Sequence, residues 1–312
     1  MKLAFPMPNQ LQLEGLTMPW EAAVTGADQT SLAKWADQLG YAMISVPEHH
    51  VLSRAHLERT RPHHFSAFPP MAYFAGATER IRVNSSVALL PLQHPIVTAK
   101  ALSSMDWLSS GRVTVTFGVG WLKDEFDALG VPFNERGARA DEYIEAIIAL
   151  WTQEWPEFDG KYVSFRNVAF EPKCVQTPHV PVWFGGDADP MLRRVARHGS
   201  GWWPFLTKPE DIPARIDFIK SQSDYSGKLS EIFLGMSAGR IGAEHTVDMS
   251  KGNVGQSKQA IIDHLSRYSE LGVTMSAVSP PPLQGIEQFR DYTQWVAEEI
   301  MPSLRPAVFS PS

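Results

Sequence analysis

Short apolar runs and amphipathic segments alternate along this chain eight times, and that alternation restricts the fold more than any single residue does. The strand-like runs occupy 2–6, 41–47, 81–90, 113–117, 180–184, 201–204, 232–236 and 273–278. Val113, Val115 and Phe117 alternate with threonines at the period of a strand, whereas the end of 81–90 is continuously apolar, as in a strand covered on both faces. Between the runs lie helical patterns. Leu32, Trp35, Ala36 and Leu39 recur at i, i+3, i+4 and i+7, and Ala140, Ile144, Ile147, Ile148 and Trp151 form a second apolar stripe. Further helices are expected over 69–77, 96–108, 189–199 and about 209–221, then from Ser257 onward and around Phe289, Val296 and Ile300. Eight strands alternating with eight helices in 312 residues predict an α/β chain closed into a (β/α)8 TIM barrel. No repeat or shift of composition marks a boundary, so one domain is expected over 1–312, with an insertion region at 152–179 carrying short strands of its own. Segments 7–29, 51–68 and 237–256 read as loops, and the last two are the ones expected to select a substrate.

Composition limits the partners. With 44% hydrophobic and 20% charged residues the chain reads as a soluble globular protein, and a formal charge of −6 argues against nucleic acid or an anionic membrane. No 18 apolar residues run together, and the opening MKLAFPMPNQ has no sustained apolar core. The single cysteine, Cys174, excludes an internal disulfide and a cysteine zinc cage, and it fits a reducing cytoplasm. The partner expected is a small-molecule substrate.

In a barrel of this type, chemistry sits where strands end. Strand two ends in Glu48-His49-His50, and an acid beside an imidazole suits proton transfer near neutral pH. Strand four ends in Gly118-Val119-Gly120. Two glycines one residue apart either admit a flat or phosphorylated ligand to the bare backbone, as the floor of a cofactor site, or simply redirect the chain. Strand five ends in Gly185-Gly186-Asp187 ahead of a helix start at Asp189-Pro190, where exposed N–H groups favour an anion such as phosphate. His49, His50, His56, His63 and His64 crowd sixteen residues, but no later strand end supplies ligands to complete a metal shell, so no metal is expected. His49 reads as catalytic or cofactor-facing, and His56, His63 and His64 as solvated. Phe5, Trp121, Trp202 and Trp203 serve either an apolar substrate pocket or the barrel core.

The run GVGWLKDEFDALGVPFNERGARADEYIEAIIALW, with SVPEHH, LPLQHP, LSSGR and FEPKCVQTPHVPVWFGG, resembles the bacterial luciferase-like superfamily. Within it, the chain is similar to the deazaflavin-dependent (coenzyme F-420) oxidoreductase branch, over Lys2 to about Gly201. The resemblance implies a luciferase-like barrel, a homodimer, and a non-proline cis peptide at Val87–Ala88 supporting the central ring of the cofactor. It places His49 beside the reactive ring as proton donor or acceptor and Glu48 in contact with the cofactor. It lays Gly118, Gly120 and Trp121 along the cofactor, and sets Gly185, Gly186 and Asp187 at the ribityl phosphate. Sugar-phosphate dehydrogenases of this branch carry a catalytic glutamate shortly after Gly-x-Gly, where this chain has Lys123, followed by Asp124 and Glu125. The reaction implied is hydride transfer between the deazaflavin and an organic substrate. One alternative is an FMN-dependent monooxygenase using reduced flavin and oxygen, although the arginine that grips FMN phosphate in luciferases has no counterpart after strand four. Another is a flavin-binding protein without catalysis.

Overall fold

The computed structural model describes residues 1–58, 60–236, 240–241, 247–249 and 257–304. Its barrel strands are β1 (Lys2–Phe5), β2 (Met43–Val46), β3 (Arg82–Ser85, resumed as Ala88–Leu89), β4 (Val115–Gly118), β5 (Val182–Gly185), β6 (Gly201–Trp203), β7 (Glu231–Ile232) and β8 (Met275–Ser276). Parallel pairing runs β8–β1–β2–β3 on one side, and β7–β6–β5–β4 with the resumed part of β3 on the other. The ring closes where Val83 bridges Val113 and where Phe233 bridges Met275. Helices α1 (Gly26–Leu39), α2 (Phe68–Ala77), α3 (Pro95–Leu108), α5 (Arg136–Thr152), α6 (Asp189–His198), α7 (Ile212–Lys220), α8 (Lys258–Glu270) and α9 (Ile286–Trp295) follow the strands in turn. A short additional helix, α4 (Lys123–Ala128), follows β4 and is absent from the sequence reading.

The period-two pattern decides which side chains enter the barrel. Leu3, Phe5, Ile44 and Val46 pack outward with the helices, while Ala4 and Met43 join Trp183, Phe233 and Met275 in a separate interior cluster. At the N-terminal end, Arg82 donates to both oxygens of Glu231 at 2.7 and 2.9 Å, and Lys2 reaches the same carboxylate at 3.1 Å. Burial pushes the Glu231 carboxyl up, but the bonds and charges of Arg82 and Lys2 outweigh it and hold the group below its usual range. This end is closed by side chains, so a ligand enters from the other.

The third strand is not the continuous 81–90 of the sequence reading. It breaks at Ser86–Val87, which is the cis peptide, one bond upstream of the expected Val87–Ala88. Regular pairing restarts at Ala88, opposite Phe117, so the irregular peptide precedes it. Two expected loops also hold structure. Segment 7–29 contains a strand (Leu11–Leu13), a turn of 3-10 helix (Pro19–Ala23) and the start of α1, where Thr25, six residues ahead of Ser31, accepts at Oγ1 from Asp28 N. Segment 51–68 contains a 3-10 turn (Arg54–Glu58) and a strand (Thr60–His64) antiparallel to Leu11–Leu13. Of the expected substrate loop 237–256, the paired pieces Arg240–Ile241 and Val247–Asp248, with Met249, are described; the rest lies outside the described residues.

Candidate active site

The C-terminal mouth of the barrel is built around Val87. Ser86 N donates to Val46 O at 2.7 Å, tying the break in β3 to the end of β2. Ser86 and Val87 are half-buried while Ser85 and Ala88 are fully buried. A Cβ on Gly118 would stand 2.4 Å from Val87 Cγ2, and one on Gly185 would stand 2.5 Å from Val87 Cγ1. The two glycines therefore make room for the valine isopropyl group. The sequence expectation of bare backbone at these glycines is corrected: Val87 covers both, and it stands half-buried at the mouth. Gly120 (φ +77°) has its own cover, with the Phe126 ring 2.7 Å from where a Cβ would lie.

At the same mouth, after β2, stands a buried carboxylate–imidazole pair. His49 N donates to Phe65 O at 3.1 Å, which fixes the backbone after β2. His49 Nδ1 lies 3.1 Å from Glu125 Oε2, and His50 N donates to Glu125 Oε1. The two side chains are 8% and 1% exposed. Burial raises the Glu125 carboxyl, but the bond and charge of His49 and the N–H of His50 outweigh it and hold it below the ordinary carboxylate range. Glu125 is thus ionised at neutral pH and can only accept, so Nδ1 of His49 carries the hydrogen and Nε2 is the basic nitrogen. The carboxylate that orients His49 is Glu125 and not its sequence neighbour Glu48. Glu48 is 3% exposed, and its oxygens accept from Leu89 N (2.7 Å), Ala67 N (3.1 Å), Ser66 Oγ (3.2 Å) and Gln93 Nε2 (3.1 and 3.2 Å). It clamps the end of β2 to β3 and to the start of α2.

The sequence carries a signal for Glu125 in the burial pattern of its short helix. Leu122, Glu125 and Phe126 are buried, whereas Lys123, Asp124 and Asp127 are exposed. An acid three residues after a leucine and next to a phenylalanine lies on the apolar face of a one-turn helix. Lys123, the departure noted in the sequence, points away and pairs with Asp127.

Around the pair, the His64 ring meets His49 edge-on at 5.2 Å, and Trp121 lies 6.1 Å from His49 and 5.1 Å from His56. Burial, then the charges of His49, His63 and His56, push the His64 imidazole down to about 4. His56 is buried and His63 and His64 are half-buried, a correction to their reading as solvated, because the strand at 60–64 folds over the mouth. Among the aromatics, Phe5 and Trp202 are core, whereas Trp203 stacks on Phe233 at 3.7 Å at the top of the barrel interior.

The expected phosphate seat on β5 is occupied by the protein itself. Gly185 is covered by Val87 and Phe205, and Gly186 N donates to Trp203 O at 3.0 Å. The Asp187 carboxylate accepts from Phe205 N, Leu206 N and Thr207 N at 2.8–3.2 Å and from Thr207 Oγ1. These three residues hold strand ends together. Next to Asp187 is a cleft of about 470 Å³ lined also by Thr207, Lys208, Asp211 and Arg215.

Known proteins resemble this chain in family and fold. The family model for luciferase-like monooxygenases matches residues 1–247. The uncharacterized protein Rv0953c of Mycobacterium tuberculosis is 33% identical over 270 residues, covering 80% of this chain and 86% of that one. An FMNH(2)-dependent dimethylsulfone monooxygenase of Pseudomonas putida is 30% identical over 159 residues, 50% of this chain and 44% of the enzyme. Among solved structures, an F420-dependent secondary alcohol dehydrogenase in complex with an F420-acetone adduct superposes with a TM-score of 0.74 at 15% identity, over 98% of this chain and 100% of that one.

Proposed function

Because this chain belongs to the luciferase-like monooxygenase family, we propose that it is an oxidoreductase whose flavin-type ring lies on Val87 and whose proton is moved by His49, held by Glu125. The residues present fit such a ring. The mouth offers an apolar, half-exposed platform over two glycines and a carboxylate–imidazole pair on the neighbouring strand, with Trp121 beside it. Bound there, a reduced flavin or deazaflavin supplies the two electrons. The chain's own residues then have three tasks. Val87 and Trp121 bind and orient, Glu125 keeps hydrogen on Nδ1 of His49, and Nε2 of His49 accepts or returns the proton of the reacting substrate. In the cleft beside Asp187, Lys208 is the cation proposed to meet an anionic tail; Arg215 is paired with Asp189 at 2.9 Å, and Asp187 and Asp211 share the lining.

For the coenzyme, the reading is a deazaflavin that exchanges hydride with a small organic substrate. The motifs between Lys2 and Gly201 support it, and so does the cation inventory after β4. Lys123 is paired with Asp127 and Arg139 with Glu135, so neither of these two cations stands ready to grip a terminal FMN phosphate. The second reading, FMNH2 with oxygen, is favoured by the name of the Pseudomonas relative. The observation that carries the proposal is the buried His49–Glu125 pair beside Val87, a costly arrangement for a protein that only binds a ring. Fluorescence titration of the purified protein with a coenzyme F-420 preparation and with FMN, followed by single-turnover reduction or oxidation of whichever binds, tests it. Micromolar binding of the deazaflavin with redox turnover is expected. Binding of neither ring, or turnover undiminished in His49→Asn, refutes it.

A further inference from the structure

The turn that follows β1 contains a buried amide with no assigned task. Nearly every polar group around it is satisfied. Asn9 N donates to Glu21 Oε2, Asn9 Nδ2 to Val24 O, Gln12 Nε2 to Asn9 Oδ1, and Gln29 Nε2 to Pro8 O and Asn9 O. His63 Nε2 lies 3.2 Å from Asn9 O. Gln10 is the exception. It is 6% exposed, and among the described residues neither its Nε2 nor its Oε1 has a hydrogen-bond partner. A buried amide left unmade on both sides is expensive to fold around, and a turn this well held gives it little freedom to find a partner within the protein.

Its position shows what is missing. β1 pairs with β2, so the turn at 6–10 stands beside the end of β2 at the open mouth. Leu11, the next residue, is in register with His64, whose ring packs edge-on against His49, and His49 N is bound to Phe65 O. Gln10 therefore belongs to the same wall of the mouth as the proton-handling pair. We infer that Gln10 is a specificity-determining residue that reads a ligand group presenting a donor and an acceptor side by side, as in a lactam, an imide or a primary carboxamide. Such an edge has two sources at this mouth: the pyrimidinedione edge of the ring, in which case the inference rests on the proposed function, or the substrate.

The test uses Gln10→Leu, which keeps the volume and removes both polar atoms, beside the wild-type chain. Unliganded Gln10→Leu is expected to melt no lower than wild type, since no protein bond is lost; a melting temperature lowered by several degrees shows a structural role and overturns the inference. Riboflavin and 3-methylriboflavin are titrated by fluorescence, and succinimide and N-methylsuccinimide by thermal shift with and without riboflavin. If the ring is the source, wild type prefers riboflavin to its 3-methyl form by tenfold or more and the variant by less than twofold. If the substrate is the source, the flavins bind the two proteins alike, and succinimide but not N-methylsuccinimide stabilises wild type alone. Absence of both preferences in wild type overturns the inference. Failure of wild type to bind coenzyme F-420 and FMN refutes the proposed function separately; where riboflavin does not bind, the imide pair alone decides the role of Gln10.

Discussion

Replacing Glu125 with glutamine is the most informative single change, because it keeps the shape of the buried pair and reverses its electrical sense. The Glu125 oxygen that accepts from His50 N survives as the amide oxygen of glutamine. The amide NH2 then faces Nδ1 of His49, and a donor in that place forces the imidazole to present a lone pair there and to carry its hydrogen on Nε2. The basic nitrogen becomes a donor. The lost electrostatic support can be sized from the geometry. With Nδ1 and Oε2 3.1 Å apart, the charge centres of imidazolium and carboxylate are about 4 Å apart, and at an effective dielectric of about 20 that attraction is about 4 kcal/mol. At about 1.4 kcal/mol per decade this is roughly a 10³-fold loss in the proton-transfer step, within the 10²–10⁴-fold range of general acid–base catalysis. Ring affinity should change less than about threefold, because the platform at Val87 is untouched. Single-turnover kinetics at saturating cofactor, with affinity measured separately by fluorescence, reads both quantities. A loss below about tenfold in the chemical step, with binding intact, would refute the assignment of Glu125 and the base nitrogen inferred from it.

Glu48→Gln should act differently, lowering stability by about 2–4 kcal/mol in urea unfolding through the loss of a charged acceptor for four donor groups; a catalytic defect without that loss would contradict its role as a clamp. Gly118→Ala should cost about 1–3 kcal/mol and weaken ring binding, since the new Cβ falls 2.4 Å from a short, stiff Val87 side chain, and Val87→Ala in the same chain should restore part of the stability; strict additivity would dispose of the explanation. Two titrations should make the protein less stable in acid. His64 and His198 are pushed down to about 4, by burial first and then by neighbouring charges, so unfolding takes up protons between about pH 6.5 and 4 and stability falls as pH falls through that window. The depressed Glu125 carboxyl adds stability that is complete above its unfolded value and lost as pH falls through its lower folded one. Urea midpoints from pH 7.5 to 4 check the sign, and a midpoint flat across that range counts against it. Finally, α2 contains no charged residue, the two on α3 are engaged by Glu171 O and by the 175–176 backbone, and Trp107 and Leu108 stand 60% and 75% exposed on the outer face. A homodimer through this face is expected, and Trp107→Glu with Leu108→Glu should convert it to monomer in light scattering; a mass unaffected by the pair excludes the face.

Local pattern alone determined the barrel. Apolar runs of period two, capped helical stripes and glycine stops are read over a few residues at a time, and the strands at 2–6, 41–47 and 180–184 and the helices at 96–108 and 189–199 stand within a few residues of where the pattern placed them. Leu11–Leu13 and Thr60–His64, the second with no apolar alternation in its sequence TRPHH, owe their form to each other across the mouth. The site divides along the same line. That His49 stands at the end of a strand was legible in the order of the chain, because a barrel sends every such end to one rim. Which acid it faces was not, since Glu48 is adjacent in sequence yet turned to Leu89 and Ala67, and Glu125 arrives from 76 residues away. The glycines tell the same story. Their spacing announced a close approach, but only the closed ring shows that the approaching group is Val87 at Gly118 and Gly185 and Phe126 at Gly120, because burial and contact depend on groups that are neighbours in space.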